Sequence, residues 1–349
     1  MKVLFIVDHA PDYREAFFQS LAKHCNLTVL SHPCKPDGLT PPESRNGYNY
    51  IEMPLRDIGP FRYIKSSIPV SLDSFDVLCI DFNPRQIWRS VLFLKNKEYW
   101  NKWIWWGHVY GRSSNKILEW FRRFILEKAQ LVLVYSRKIS NELKKELPDT
   151  PIVSFNNSQS FKSDFIDLQF PKDDQPHFIF VGRPQPRKRL DRILKIAKEY
   201  PSTQWRLIGP GMKEYMLKNY GDVPKNIQCF GKTTGEDLIP HFEWCHAVVN
   251  PGHLGLLISN AAIHGRPVII QKNTKHAPEV ALAHESNQIF IDFDNKEDVE
   301  RIVSMASGHA NTLKEAAKRL KNIAISDYTF ENMVEKHMYS FNQVFYKKI

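Results

Sequence analysis

The sequence predicts an α/β protein built from doubly wound, mostly parallel sheets. Short apolar segments, each long enough for a buried strand, alternate with segments whose apolar residues recur at helical spacing. The 349 residues are enough for two domains that each bury a core. A polar stretch from Asn156 to Pro176 is interpreted as the connection between them. We place the first domain at 1–160, the linker at 161–176, the second domain at 177–325 and a final helix at 326–349.

The composition is that of a folded protein with reduced cysteines and no membrane-spanning segment. Hydrophobic residues make up 42% of the chain and eight tryptophans are present, as expected of a folded protein. The opening MKVLFIVDHA has an apolar run too short for a signal peptide, and no apolar run reaches the roughly 20 residues that span a bilayer. Five scattered cysteines without a C-x-x-C pair indicate reduced thiols. We therefore expect a cytoplasmic protein.

The charge of the chain is high and uneven. A formal net charge of +10 indicates anionic partners, and nucleic acid, a membrane surface and a phosphorylated substrate all fit. Between Arg85 and Glu146 there are 14 Lys and Arg against 5 Glu. No recognisable nucleic-acid-binding module accompanies this charge, so we do not expect nucleic acid to be a partner. Peripheral contact of the basic N-terminal domain with the inner face of the cytoplasmic membrane is one interpretation.

Polar side chains follow two predicted strands of the first domain. Asp8, His9, Tyr13 and Arg14 come after the strand Val3–Val7, at the sheet edge where ligands of parallel sheets bind. Alternatively, Tyr13 and Arg14 only cap and pack the first helix. His108 follows the strand segment WIWW, and at such an edge we favour a functional over a structural histidine.

A strongly amphipathic helix is predicted from Asn115 to Lys128. Its apolar face is made of Ile117, Trp120, Phe121, Phe124 and Ile125, and its flanking cations are Lys116, Arg122, Arg123 and Lys128. We expect the apolar face to pack on the core. The cations are either solvated or rest on an anionic bilayer.

The most informative stretch is HFIFVGRPQPRKRLD, from His177 to Asp191. A buried strand is followed by Gly182, a basic loop and a helix. Arg183 and Lys188 place two cations at a strand-to-helix turn, where free N–H groups already attract anions. The alternative is that both are ordinary surface cations. We favour a clamp for a diphosphate.

The segment VGRPQPRKRLDRIL resembles the Val-Gly-Arg-x-x-x-x-Lys-Gly-x-Asp segment of retaining glycosyltransferases of family 4, which have the GT-B fold. The resemblance implies that Arg183 and Lys188 hold the diphosphate of a nucleotide sugar. Arg189 stands where that family usually has Gly, a departure that could change the shape of the loop. The resemblance extends to Gly209 in Gly-Pro-Gly, to Lys232 in Phe-Gly-Lys, to the Tyr-Arg-x-x-Phe-Phe opening and to Gly-His at His108.

The segment NPGHLGLLISNAAIHGRPVI resembles the Glu-Gly-Phe-Gly-Leu region of the same family. It implies donor contacts from His253, Leu254, Gly255 and Leu256, with N–H groups at the Gly255 helix start. The two glutamates of the usual Glu-x7-Glu motif are absent, and by position they would be Gly252 and Asn260. A branch of the family that builds bacterial surface polysaccharides resembles this segment more closely. Asn260 or Glu279 is expected to take over a ribose or sugar contact. Alternatively, Glu279 is only an acid at a helix start, where the helix dipole favours it.

No metal is expected. Asp292-Phe-Asp294 is similar to the Asp-x-Asp metal signature of other glycosyltransferases, but both acids are explained as turn and cap residues between a strand and a helix.

Taken over the chain, the resemblance implies two Rossmann-like domains facing a central cleft, closed by a C-terminal helix that crosses back to the first domain. It implies transfer of a sugar from a UDP- or GDP-linked donor, bound without a cofactor by the second domain, to a glycan or lipid-linked glycan on the first, with retention of configuration. The expected setting is bacterial surface polysaccharide synthesis, such as O-antigen or capsule. The alternatives are a sugar-nucleotide epimerase of the same fold and a non-catalytic GT-B-like subunit, which the missing glutamates favour.

Overall fold

The structure is a computed structural model that describes residues 1–34, 39–59, 61–64, 67–110, 116–308 and 310–347. The chain divides into two compact units, residues 1–159 with 330–349, and residues 160–329. Each unit is built around one parallel sheet accompanied by α-helices, as the sequence predicts.

The strands are β1 (Lys2–His9), β2 (Asn26–His32), β3 (Asn49–Glu52), β4 (Leu55–Ile58), β5 (Phe61–Ile64), β6 (Val77–Asp81), β7 (Trp103–Gly107), β8 (Leu131–Val134), β9 (Ile152–Ser154), β10 (His177–Val181), β11 (Gln204–Ile208), β12 (Ile227–Phe230), β13 (Ala247–Asn250), β14 (Val268–Gln271) and β15 (Ile289–Ile291). The helices are α1 (Asp12–Ala22), α2 (Ile87–Lys95), α3 (Lys116–Glu127), α4 (Arg137–Glu146), α5 (Leu190–Glu199), α6 (Met212–Tyr220), α7 (Ile239–Trp244), α8 (Leu257–Ile263), α9 (Val280–Glu285), α10 (Lys296–Ala306), α11 (Asn311–Asp327) and α12 (Phe330–Tyr346).

The sheet of the first unit has the order β3-β2-β1-β6-β7-β8-β9, and β4 and β5 form a separate antiparallel pair. Its central strands are buried along their length, as parallel strands covered on both faces must be. The order of connection reverses between β1 and β6. In doubly wound sheets such a reversal opens a crevice at the carboxyl ends of the strands.

The last helix, α12, belongs to the first unit and packs on α1. His337 of α12 is fully buried against Phe5 and Phe17, and its Nε2 accepts a hydrogen bond from Trp106 Nε1 at 3.0 Å. Its Nδ1 lies 2.6 Å from Met333 O, so the ring is neutral with its proton on Nδ1. The helix therefore completes the core of this unit.

The sheet of the second unit has the order β12-β11-β10-β13-β14-β15 and reverses between β10 and β13. Residues of the predicted linker pack within this unit. Phe165, Leu168 and Phe170 contact its core, and Ile166 N donates to Ile263 O at 2.9 Å.

Helix α3 packs on the core with only part of its predicted apolar face, since Ile125 is buried and Phe124 packs against the core. Its predicted start, Asn115, lies outside the described residues, and within the helix Ile117, Trp120 and Phe121 are exposed rather than packed on the core. The buried residues are Arg122, Ile125 and Leu126. Arg122 is buried because it pairs with Glu146 at 2.6 Å and stacks over the Tyr110 ring. The buried side of α3 therefore includes a cation that pairs with α4, which hydrophobicity alone does not predict.

Candidate functional site

Two loops meet at the reversal point of the second sheet. Residues 182–189 follow β10 and contain the 3₁₀ turn Pro186–Lys188, and residues 251–256 follow β13. Since β10 and β13 are adjacent and parallel, both loops leave the same edge of the sheet. This is the position at which ligands of open α/β sheets bind.

The two loops are in direct backbone contact at Gly252. A Cβ at this position would lie 2.3 Å from Arg187 O and 2.7 Å from the carbonyl carbon of Lys188. His253 N donates to Arg187 O at 2.9 Å, and Lys188 Nζ donates to His253 O at 2.7 Å. Residue 252 therefore has no room for a side chain, and the contact gives a physical reason for the absence of a glutamate there.

Lys188 is a partly buried cation next to other cations. Burial lowers the pKa of its ammonium group to about 8, and the charges of Arg187 and Arg183 contribute in the same direction. The carboxylate of Glu279 opposes the shift, so Arg183 and Glu279 both lie within electrostatic reach of Lys188. A desolvated cation repelled by its neighbours gains most from binding an anion.

Arg189 adopts a left-handed backbone conformation, with φ 53° and ψ 47°. This conformation is the one that glycine adopts without steric penalty, and for other residues it costs about 1 kcal/mol. The Arg189 side chain pairs with Asp191 at 2.8 Å. Arginine thus holds the conformation expected of the glycine it replaces, and the departure does not remove the turn.

Residues far away in sequence support the second loop. His276 Nδ1 accepts from Leu254 N at 3.0 Å, while its Nε2 donates to Gln271 O at 2.9 Å. Arg192 donates to Pro251 O at 2.7 Å and pairs with Asp294. No local sequence pattern marks His276 or Arg192 as part of the site, because their partners lie 22 and 59 residues away in the chain.

The other predicted donor residues fall into different environments. Gly209 is tightly packed, since a Cβ there would lie 2.1 Å from Gly182 O. The side chain of Leu254 lies in the core, and its backbone N–H donates to His276. Neither the side chain nor the N–H is therefore available to a ligand. Lys232 is exposed and follows β12. Since β12 lies two strands away from β10 in the sheet, these two strands are about 10 Å apart.

The predicted helix start at Gly255 is displaced. The helix α8 begins at Leu257, two residues later, and is seven residues long. Leu256 and Asn260 are partly exposed, and Gly255 has open space where a Cβ would lie. Glu279 directly precedes α9.

Asp292 and Asp294 are occupied within the fold. Asp292 Oδ1 accepts from Gln271 Nε2 at 3.3 Å and from Asp294 N at 3.1 Å, and Asp294 pairs with Arg192. Asn295 caps α10, so the predicted cap role of the two aspartates is wrong. Across the described residues no group of three or more His, Cys, Asp and Glu is arranged to hold a metal ion.

The carboxyl edge of the first sheet holds a buried network around Arg89 of α2. Arg89 lies 2.8 Å from Asp8 Oδ1 and 3.0 Å from Asp81 Oδ2, and its side chain is 1% exposed. Asn83 and Gln86 donate to the other lone pairs of Asp8 at 2.5 and 3.1 Å. Asp8 is therefore engaged in the fold of this edge.

The two carboxyl groups of this network share one cation and differ in acidity. Burial and the neighbouring Asp8 together raise the pKa of Asp81 to about 8, although the charge of Arg89 and its hydrogen bond act in the opposite direction. Burial also acts against ionisation of Asp8, but Arg89 and the hydrogen bond from Asn83 lower its pKa below the usual value. Gly107 makes room for Asp81, since a Cβ there would lie 2.5 Å from Asp81 Oδ1.

The remaining predicted residues of the first unit surround this edge. His9 Nδ1 lies 3.4 Å from His32 O, and His108 is exposed with its ring 4.5 Å from that of Tyr135. Tyr13 is 40% exposed, whereas Arg14 is buried with its guanidinium 6.0 Å from the Trp106 ring centroid. Among the described residues, Arg14 Nη1 has no hydrogen-bond partner.

Comparison with known proteins connects these observations to a family. Residues 162–324, nearly all of the second unit, match the model of the family described as Glycosyl transferases group 1. No curated protein sequence matches the chain.

Several solved structures have the same fold over almost the whole length. Sucrose-phosphate synthase from Thermosynechococcus elongatus superposes with a TM-score of 0.70 at 14% identity, covering 99% of this chain and 100% of that one. A glycosyltransferase from Rickettsia africae superposes with a TM-score of 0.67 at 13% sequence identity, covering 98% of each chain. HepE of Anabaena, solved in complex with UDP and glucose, superposes with a TM-score of 0.62 at 13% sequence identity. The match covers 98% of this chain and 99% of that one.

These similarities confirm the predictions of a GT-B fold and of a transferase. Over residues 162–324 the chain is similar to group 1 glycosyl transferases, and the chain as a whole has the GT-B fold of the solved glycosyltransferases.

Proposed function

We propose that the protein transfers a sugar from a UDP- or GDP-linked donor to a glycan or lipid-linked glycan, with retention of anomeric configuration. One observation carries the proposal. Lys188, whose ammonium has a lowered pKa, and Arg183 lie on a loop that is fastened to the 251–256 loop at the reversal point of the second sheet. This arrangement suits a diphosphate.

Breaking a sugar–phosphate bond develops opposite charges on the sugar and on the leaving diphosphate, and both need stabilising. The sugar passes through an oxocarbenium-like state, and the leaving diphosphate gains charge at the same time. Arg183 and Lys188 would supply the compensating positive charge, and we propose that no metal ion is required. His108 would orient the transferred sugar from the first unit.

Glu279 is the candidate to replace the missing glutamates. Gly252 has no room for a side chain, and Asn260 brings no charge. Glu279 is close enough to Lys188 and His253 to affect the pKa of both. We propose that it accepts a hydrogen bond from a ribose or sugar hydroxyl, with Asn260 contributing an amide contact.

The acceptor is assigned to the first unit, at the edge that carries His9, Tyr13 and Arg14. Because Asp8 is held by Arg89, its proposed role is to shape this edge rather than to contact the acceptor. The resemblance to enzymes of surface polysaccharide synthesis supports an O-antigen or capsule intermediate as acceptor. A lipid-linked acceptor would bring the enzyme to the cytoplasmic membrane, and the excess of cations between Arg85 and Glu146 supports such a contact.

A thermal-shift panel of nucleoside diphosphates and their sugars, with and without a chelator, tests the donor assignment. We expect the nucleotides of one base, UDP or GDP and the corresponding sugars, to raise the melting temperature by the same amount with and without the chelator. The Anabaena structure with UDP and glucose supports UDP as the first candidate. Stabilisation only without chelator would contradict metal independence, and no response to any nucleotide would contradict the donor site.

The non-catalytic alternative rests on Gly252 and Asn260, which replace the usual glutamates. It predicts donor binding without turnover. Slow release of free sugar from the bound donor, followed by NMR, would support the transferase, and the anomer first released would report on retention. Conversion to a second nucleotide sugar would instead indicate an epimerase.

A further inference from the structure

The amphipathic helix α3 presents an apolar surface to solvent. Ile117 is 74% exposed, Trp120 66%, Leu118 55% and Phe121 37%. We call these four residues the α3 apolar surface. They lie within two turns of one helix, and Trp120 stacks on the partly exposed Phe124 at a centroid distance of 5.9 Å.

Trp120 is exceptional among the tryptophans of this chain. All eight lie in the described residues, and the other seven are buried or partly buried. Single exposed apolar side chains are common on protein surfaces, but a contiguous group that includes an exposed tryptophan marks an interaction site. Trp is also the residue that prefers the boundary between water and lipid.

The surroundings of this surface are basic. The cations between Arg85 and Glu146 exceed the anions by nine, nearly the whole formal excess of +10. Lys116, Arg123 and Lys128 lie on or beside α3, and all three are exposed. Arg123 donates to Glu146 O at 3.1 Å, which brings the exposed Lys144 and Lys145 of α4 close to the same helix.

We propose that the α3 apolar surface inserts into the interface of an anionic bilayer, with the flanking cations on the lipid headgroups. An apolar stripe with a central tryptophan, bordered by Lys and Arg, is the pattern of a helix that lies in the membrane plane. Among the described residues no helix is both long and apolar enough to cross a bilayer. The inference makes the membrane contact proposed above specific, and it is independent of the donor site.

Vesicle sedimentation of the full chain tests the proposal. Wild type is expected to bind vesicles of phosphatidylcholine with 30% phosphatidylglycerol and to bind pure phosphatidylcholine much more weakly. Ile117→Ser with Trp120→Ser removes apolar surface without changing charge, and we expect it to reduce binding to anionic vesicles more than tenfold. Lys144→Gln with Lys145→Gln should reduce binding by about fivefold per cation, an effect that high salt removes.

The control is Leu217→Ser, which removes an α6 side chain that is 60% exposed and belongs to the second unit. We expect it to bind vesicles like wild type. Brominated lipids should quench the tryptophan fluorescence of the wild type, and they should quench that of the Trp120→Phe variant much less.

Two results would overturn the proposal. One is unchanged vesicle binding by a folded α3 double variant. The other is a monomer–dimer equilibrium, seen by sedimentation velocity without lipid, that the same variant abolishes, because the surface would then be an interface between copies. Nucleotide binding by the α3 variant should remain that of wild type, so failure here is distinguishable from failure of the donor assignment.

Discussion

At the scale of single residues, Gly252 and Lys188 determine what the edge of the second sheet can bind. Gly252 lets the two loops touch through their backbones, and Lys188 spans them through His253 O. Lys188 is predictable from its position after a strand and from the family resemblance. The role of Gly252 is not, because a backbone contact with Arg187, 65 positions away, leaves no local pattern and the residue is evident only as a missing glutamate.

Replacing Gly252 by Ala is expected to separate the two loops. The added Cβ would meet backbone atoms at 2.3 and 2.7 Å, so the loops must shift. We expect a loss of about 1–3 kcal/mol in the free energy of unfolding, measured in urea, together with weaker nucleotide binding. Gly255→Ala is the control, since open space surrounds that position. Equal stability of both variants would contradict the described loop contact.

The lowered pKa of Lys188 predicts how donor affinity depends on pH. The free ammonium loses its proton near pH 8, and a bound diphosphate favours the protonated form. Affinity for the nucleotide sugar should therefore fall above pH 8, by at most about tenfold per pH unit. Lys188→Arg should remove this dependence, because arginine stays charged. An identical slope in both proteins would exclude Lys188 as its origin.

At the scale of elements, strands were more predictable than helix orientations. A buried parallel strand is a continuous apolar run, so the segments after Met1 and before Gly182 could be identified directly. Helix α3 has apolar residues on more than one face, and its buried side includes Arg122, whose partner Glu146 lies 24 residues away and is not evident from local sequence. The contacts of α12 likewise depend on residues more than 200 positions away, such as Trp106.

The buried His337 of α12 makes the first unit sensitive to acid. Burial lowers the pKa of its ring to about 3, whereas in the unfolded chain it is near 6.5. Its contribution to stability is therefore complete above pH 6.5 and is lost as the pH falls towards 3, by about 1.4 kcal/mol per pH unit. Protonation would also place an N–H against Trp106 Nε1.

His337→Gln keeps one donor and one acceptor without titrating. We expect it to reduce the decrease in unfolding free energy between pH 6.5 and 5 by about 2 kcal/mol. Urea denaturation of both proteins at the two pH values measures this. His108→Gln, which changes an exposed histidine, is the control and should leave the decrease unchanged. If the unfolding free energy of His337→Gln decreased between pH 6.5 and 5 by as much as that of wild type, His337 would not be the origin of the acid sensitivity.

At the scale of the whole molecule, each unit places its polar residues at the reversal point of its own sheet. In the first unit these are Asp8, Asp81 and Arg89, and in the second they are the loops that carry Lys188 and Gly252. The fold class followed from the alternation of strands and helices. The identity of the ligand does not follow from the fold, because the same architecture serves many substrates.

The most direct test of the donor site is calorimetric titration of UDP and GDP, in the presence of a chelator, into wild type and the variant Arg183→Ala with Lys188→Ala. A second variant, Lys195→Ala with Lys198→Ala, removes two exposed cations from α5 of the same unit and serves as the control. We expect wild type and control to bind one nucleotide with equal affinity and the folded Arg183/Lys188 variant to show no binding. Wild-type affinity in that variant would contradict the proposed diphosphate clamp.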